Sequence, residues 1–514
     1  MNLSKSRYAS YCQCPKKLWL DVFNPEASGD DAFAKAQMAS GVKVGEFARS
    51  IYGPYEDATV LDNDGHVDLN AMLERTRILR EAGTINIAEA SFSYDGCYCA
   101  VDILRLVGNN IYEINEVKSC TVDPDSEKSV NEVVQKYLND ISYQKWVLCK
   151  LGINVAEVNL VCMDSRYSVP ADGHIDPQSL FTVIHCGDRI TQEMMNLVET
   201  RAYEAKMVLE TPEEIEQELN LQCKKPFDCP FIKYCMAQAG IQYPSVFNLY
   251  RAQWRKKIEY MNKGIMTFED VRPFVNSTIQ KLQIKCITEN STHIDKHGLL
   301  EFINSLSYPL YFLDFETMNE ALPEYPGTKA YQQVPFQYSL HIKQDPDAAT
   351  LEHREFLGQP EEDPRRALAE QLCADIPMNV CVVAYNKQFE CGRIRELAEM
   401  YPDLADHLMA IERNIVDLLI PFQNGYYYTP EMKDSFSIKS VLPALFPDSE
   451  ELNYHNLNES VQNGTMAMNA YPAMRTMNES QRYEIRQALL AYCCLDTLAM
   501  VRVLEKVYEA IDNN

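Results

Sequence analysis

The sequence predicts an α/β protein of more than one domain, and three observations carry that reading. Between Val101 and Lys118, two β-branched or apolar runs flank Gly108-Asn109-Asn110, as a β-hairpin requires. Far downstream, VCVVAYN is a continuous apolar run of sheet-centre type that leads directly into the helical pattern KQFECGRIRELAEM. The chain has 514 residues, more than one ordinary core organises, so about two to four domains are expected.

Composition narrows the class. Hydrophobic residues make up 46% and charged residues 24%, the balance of a globular protein. No apolar run approaches the roughly 18 residues of a membrane span, and MNLSKSRYASYCQCPKK lacks the apolar centre of an export signal. A cytoplasmic location without a membrane partner is the expectation. In that reducing compartment the 17 cysteines are mostly buried thiols, with a few left for metal or cluster chemistry. The net charge of −26 argues against sequence-independent binding of nucleic acid over the whole surface. A local basic stripe is nevertheless present, with eight Lys/Arg from Arg251 to Lys285 against Glu259, Glu269 and Asp270.

In chain order, Ser4 signals the start of a first helix, and residues 33–52 read as a helix carrying Glu46. The hairpin follows. Strand side chains alternate faces, so Glu116 and Lys118 point one way and Val117 the other, and the hairpin partner can bring Asp102 beside them. Two carboxylates and a lysine suit metal-assisted phosphodiester hydrolysis: the carboxylates hold a divalent ion that acidifies a water, and the lysine steadies the developing charge. Residues 130–151 read as a helix bearing Gln144, VAEVNLVCM as a strand and 191–220 as a charged helix. Asp102 followed by Glu116-Val117-Lys118 resembles the PD-(D/E)XK nuclease core. With Glu89 ahead of the first strand and Gln144 behind, the arrangement looks like the RecB-type branch, although Leu148 stands where an aromatic usually follows the glutamine.

LQCKKPFDCPFIKYC places Cys223, Cys229 and Cys235 at equal intervals. Three cysteines do not complete a four-ligand site, and the partner is sought upstream in Cys12-Gln13-Cys14-Pro15. One N-terminal and three C-terminal cysteines around a nuclease hairpin resemble the iron–sulfur RecB-type proteins of the CRISPR-associated and AddB-like groups. The resemblance implies a [4Fe–4S] cluster on Cys14, Cys223, Cys229 and Cys235, with Cys14 chosen over Cys12 on the family setting. The first interval is longer than the usual one, and a Zn²⁺ site with four cysteine ligands is the alternative. Residues 241–305 are expected as a helical connector carrying the basic stripe, which sets the domains at 1–240 and 306–514.

In the last third, YPLYFLDFET is a strand with Asp314 and Glu316 on one face, and FQYSLHI and HREFL are two more strands. A long final helix carries Tyr492 and Asp496 one turn apart. Asp314-x-Glu316, Asn386-x-x-Phe389-Glu390 and Tyr492-x-x-x-Asp496, in that order, resemble the three motifs of DnaQ-like DEDD exonucleases, an RNase H-like fold. The resemblance implies that Asp314, Glu316, Glu390 and Asp496 hold Mg²⁺ or Mn²⁺ while Tyr492 orients the attacking water. Glu390 departs from the usual aspartate by one methylene.

Both halves together look like an uncharacterised bacterial family that fuses an iron–sulfur RecB-type domain to a DnaQ-like domain. The resemblance implies a metal-dependent nuclease. DNA is the favoured substrate because RecB-type domains mostly act on DNA ends, and RNA stays open. The rival readings are a nucleic-acid-binding or defence-associated scaffold with one or both sites inactive, and a zinc-stabilised interaction protein.

Overall fold

The computed structural model describes residues 2–29 and 32–512, which fall into two units: 1–240 with 320–332, and 241–319 with 333–514. In the first, the hairpin lies inside a seven-stranded sheet built from β1 (Leu3–Ser4), β2 (Glu56–Asp57), β3 (Asn86–Tyr94), β4 (Cys97–Gly108), β5 (Ile111–Val122), β6 (Asn154–Asp164) and β7 (Phe181–His185). The order is β2-β3-β4-β5-β6-β7, with β1 parallel to β4. Strands β3, β4 and β5 form an antiparallel meander, whereas β5 and β6 are parallel and need a crossover. Asn110 closes the hairpin turn at φ 57°, a left-handed conformation that asparagine tolerates better than most residues.

The helices of this unit begin where side chains can cap them. Ser4 accepts from Arg7 N to start α1 (Lys5–Gln13), and Pro15 opens α2 (Pro15–Phe23), leaving Cys14 extended in the joint between them. Then come α3 (Ala32–Ala48), α4 (Leu69–Glu81), the crossover α5 (Glu127–Lys150), α6 (Gln192–Glu210) and α7 (Ile232–Gln238). Helix α6 stops at Thr211, short of the 220 expected, because Pro212 forces the residue before it out of the helical region. On one face of the sheet, Leu18, Leu20, Tyr143, Val147 and Val198 pack against Ile114 and Leu160. On the other, Val44 and Ile51 meet Ile103, Val117 and Val161, and Ala321 of the 320–332 segment joins them. Each such fully buried aliphatic side chain contributes about 1.5–3 kcal/mol.

The second unit is organised by a five-stranded sheet. Its elements are α8 (Trp254–Met261), α9 (Thr278–Glu289), β8 (Leu310–Met318), β9 (Val334–Lys343), β10 (Glu352–Leu357), α10 (Arg365–Asp375), β11 (Cys381–Ala384), α11 (Gln388–Met400), β12 (Ile415–Asp417), α12 (Ile438–Leu445), α13 (Gly464–Ala473) and α14 (Glu479–Asp512), with shorter pieces between. The order is β10-β9-β8-β11-β12; β9 is antiparallel to both neighbours, and β8, β11 and β12 run parallel. Period-two alternation splits β8 cleanly. Leu310 and Phe312 pack with Met500, Val503 and Leu504 of α14, while Tyr311, Leu313 and Phe315 pack with Leu368 of α10 and Ile394 of α11. Asp314 and Glu316 therefore share the face that α14 covers.

Two domain boundaries differ from expectation. Residues 241–305 are not a separate connector but part of the second unit: Phe268, Ile284, Leu299 and Phe302 are buried, and the fully buried Gln283 amide bonds Asn248 O, Lys433 O and Tyr250 N. Residues 320–332 interrupt the second unit and pack with the first, where Gly327 N and Val169 N exchange bonds with Val169 O and Thr328 O. The 34-residue α14 is long and apolar enough to cross a membrane, but 67% of its apolar window is buried in the structure. The chain is thus a mixed α/β protein with two mixed sheets.

Candidate functional site

In the first unit, register fixes the cluster. Ile103 pairs with Asn115, so Asp102 and Glu116 come opposite each other, and Asp102 Oδ2 accepts from Val117 N at 2.7 Å. Lys118 Nζ lies 2.9 Å from Glu116 Oε1 and 2.7 Å from Asp140 Oδ2, over the Tyr137 ring. Helix α5 runs beneath, and its i, i+4 spacing brings Asp140 and Gln144 to the same place; Gln144 Nε2 donates to Glu116 Oε2 at 2.7 Å. A second ammonium arrives from the start of α1, with Lys5 Nζ 2.6 Å from Glu116 Oε1. Burial alone would raise the Glu116 carboxyl, but the Lys118 and Lys5 charges outweigh it and hold the group down at about 2. Asp102 goes the other way, pushed up to about 7 by burial and by the Glu116 charge.

Asp102, Glu116, Lys118 and Gln144 are thus brought together. Glu89, ahead of the hairpin's first strand, lies within β3 at φ 54°, pairs with Arg49 at 3.2 Å, and its charge also raises Asp102. Glu46 is exposed on α3. Leu148 is fully buried in the core under the sheet.

Cys14, Cys223, Cys229 and Cys235 line one cavity, closed on its apolar side by Leu20 and Phe231. The loop is tied to α1 by Gln13, whose amide donates to Gln222 O and Phe227 O, and Cys229 N donates to Cys223 O. Cys12 is elsewhere, 3.9 Å from Arg201 Nη1. Cys12 lies within α1, whereas Cys14 is the extended residue that ends it, and this parts the two neighbours. Burial pushes the Cys229 thiol up to about 11 and raises Cys223 and Cys235. Among the described residues, no three of the four sulfurs fall within 4.8 Å of one another.

In the second unit, four carboxylates converge beside α14. Asp314 and Glu316 point from β8 toward Asp496, and Glu390 reaches in from the first turn of α11. Burial, then the neighbouring charges, raises Asp314 and Glu316 well above the usual carboxylate range; burial puts Glu390 at about 8 and Asp496 at about 6. Glu390 Oε2 is buried with no hydrogen-bond partner. Asn386, at φ 64°, turns the chain into α11, and its N–H is held 2.8 Å from Asp417 at the end of β12. Tyr492 is buried, and a Cβ on Gly464 would lie 3.9 Å from its hydroxyl and 4.0 Å from Glu316 Oε2, so the start of α13 roofs the cluster.

Several members of these clusters were not legible as such. In the first unit they are Lys5 and Asp140, of which only Asp140 left a signal, its i−4 spacing from Gln144. In the second, Tyr454 donates to Asp496, and Lys439 sits over the Tyr454 and Tyr492 rings at 5.8 and 5.5 Å. Cys493 also brings its sulfur within 4.8 Å of ligand atoms of Asp314 and Glu316. Tyr454 comes from a short 3-10 turn without periodicity, and Lys439 from the first turn of α12.

Residues 311–437 match the family described as "Domain of unknown function (DUF2779)". That stretch contains Asp314, Glu316, Asn386, Glu390 and Asp417 and ends before Tyr492 and Asp496. The chain is also similar to "Uncharacterized protein UU173" of Ureaplasma parvum serovar 3 (strain ATCC 700970), 25% identical over 274 residues. The similarity covers 50% of this chain and 38% of that relative, so the chain spans well under half of its length. No solved structure matches it significantly.

Proposed function

We propose that the chain is a metal-dependent nuclease with one phosphodiesterase centre in each unit. The observation that carries this reading is the second-unit cluster. Asp314, Glu316, Glu390 and Asp496 are gathered in one place with their charges mutually opposed, and one buried oxygen of Glu390 has no partner. Buried like charges persist only where something positive compensates them. Lys439 bears on Glu316 and Asp496 and Arg393 on Glu390, two cations against four carboxylates. Oxygen donors without nitrogen suit hard divalent ions, Mg²⁺ or Mn²⁺. Such ions, when bound, acidify water and stabilise charge on a leaving oxygen. The strand order, with one antiparallel strand between β8 and β10, supports a DnaQ-like, RNase H-like reading of this unit.

In the first unit the donor set fits one divalent ion on Asp102 and Glu116. Glu116 stays ionised beside two lysines, Gln144 orients its second oxygen, and Lys118 is held by Asp140 with its ammonium toward the same place. This is the arrangement expected of a RecB-type PD-(D/E)XK centre. Four cysteines lining one cavity support a [4Fe–4S] cluster, with a four-cysteine zinc site the alternative. DNA is the proposed substrate, with RNA the alternative, and exposed Arg251, Arg255, Lys263, Lys281 and Lys285 are candidate phosphate contacts.

The test is degradation of 5′- and 3′-labelled single and double strands of DNA and RNA, with Mg²⁺ or Mn²⁺ and with chelator. Metal-dependent shortening supports the reading. Tight binding without cleavage, under every condition, supports the scaffold reading instead.

A further inference from the structure

His341 and His353 are directly paired across β9 and β10, with ring centroids 4.6 Å apart. Cys494 of α14 joins them, and one ligand atom from each of the three lies within 4.8 Å of the others. The ring nitrogens are not equivalent. His341 Nδ1 is 2.7 Å from Thr497 Oγ1, His353 Nε2 is 3.0 Å from Ser339 Oγ, and the two hydroxyls are themselves 2.7 Å apart. One nitrogen of each imidazole is therefore oriented by a hydroxyl, and zinc would take the other. That is the support metal-binding histidines ordinarily receive from the groups behind them.

We propose that His341, His353 and Cys494 form a zinc site that staples α14 to the β9–β10 edge of the sheet. Two imidazoles and a thiolate are the donors zinc prefers, and three protein ligands leave a fourth position for water. Donor atoms around a tetrahedral zinc lie about 3.3–3.8 Å apart given bonds of about 2.0–2.3 Å, so small side-chain rotations close the observed spacing. His353 is exposed and Cys494 half-buried, which gives an ion a way in from solvent. Glu355 lies two residues from His353 on the same strand face, and its charge bears on both His353 and Cys494.

The site is distinct from the carboxylate cluster. Cys493 turns toward Asp314, whereas the next residue, Cys494, turns toward the histidines. Zinc here would fix the turn of α14 that carries Tyr492 and Asp496 without touching either. The donor set also separates this site from the cysteine quartet, which has sulfur alone.

The experiment uses the full chain, equilibrated with zinc and then desalted. Metal analysis should find zinc, X-ray absorption at the zinc edge should show a shell with nitrogen and a single sulfur, and zinc should raise the melting midpoint. His353→Ala, at an exposed position compatible with folding, and Cys494→Ser should each lose one equivalent of zinc and abolish that rise. Cys229→Ser should keep the nitrogen-rich shell. Zinc absent from the full chain, an all-sulfur shell, or zinc content unchanged in His353→Ala would each overturn the proposal.

Discussion

Lys5 Nζ stands 2.6 Å from Glu116 Oε1, so an ammonium from the first turn of α1 neutralises a carboxylate 111 positions away. The same nitrogen is 4.0 Å from Asp102 Oδ1. Lys5 thus supplies positive charge where a divalent ion would bind, and the two compete for the same carboxylates. Lys5→Met should tighten Mn²⁺ binding at this centre by about tenfold, roughly 1.4 kcal/mol. The measurement is Mn²⁺ titration by electron paramagnetic resonance in an Asp314→Asn background, so that the second centre does not contribute. Unchanged or weaker binding would remove Lys5 from the electrostatics of the site.

The cysteine cavity separates neighbours that are alike in sequence. Cys14 lines it and Cys12 does not. Protein purified without oxygen should be brown, Cys229→Ser should bleach it and lower its melting temperature by several degrees, and Cys12→Ser should leave the colour intact. Colourless protein with one zinc in an all-sulfur shell would contradict the cluster.

How much of this could be read from residues alone depends on the kind of signal. Asp314, Glu316 and Asp496 were legible because strand and helix periodicities put them on facing surfaces, and Asp102 and Glu116 because a hairpin turn sets its own register. The left-handed backbone of Glu89 within β3 was not legible, because alternation does not announce such a conformation. Lys5 and Tyr454 were missed since each reaches its partner through tertiary packing from a segment with no period of its own. The connector was misjudged for a related reason. Short amphipathic helices read alike whether they bridge two cores or belong to one.

The raised carboxyls in the second unit make a pH prediction for metal-free protein. A carboxyl whose folded value lies above its unfolded value binds more protons folded than unfolded between the two, so stability falls as pH rises through that window. For Glu390 the window runs from the ordinary glutamate range up to about 8. Metal-free protein should therefore melt at a lower temperature at pH 8 than at pH 5.5, and Glu390→Gln should flatten that slope. Mg²⁺ or Mn²⁺ should restore stability at pH 8 in the wild type. A melting temperature that rises over this range and ignores divalent ions would contradict the assignment.

Glu390 also bears on rate. Its carboxylate already reaches the neighbourhood of Asp314 and Glu316 from the first turn of α11, so shortening it withdraws a donor. Glu390→Asp should lower second-centre activity by about tenfold or more, and a gain in rate would mean that the longer side chain impairs the site.

Tyr454 holds Asp496 by a hydrogen bond that an ionised carboxylate accepts, and it stands with Lys439 beside Tyr492. Tyr454→Phe removes the donor and keeps the ring. Second-centre activity should drop by about tenfold or more, in line with about 1.5–3 kcal/mol for a hydrogen bond to a charged group, with the fold unchanged by circular dichroism. Wild-type activity in Tyr454→Phe would make it a packing residue only.

The central claim is that each unit holds its own phosphodiesterase centre. The direct measurement is Mn²⁺-dependent degradation of end-labelled single-stranded DNA by wild type, Lys118→Ala, Asp314→Asn and the double variant, all at matched folded concentration. Each single variant should lose part of the activity, by about 100-fold or more for its own centre, and the double variant should be inert although it still binds the strand. Degradation by the double variant at the wild-type rate, or no degradation by the wild type, would contradict the account.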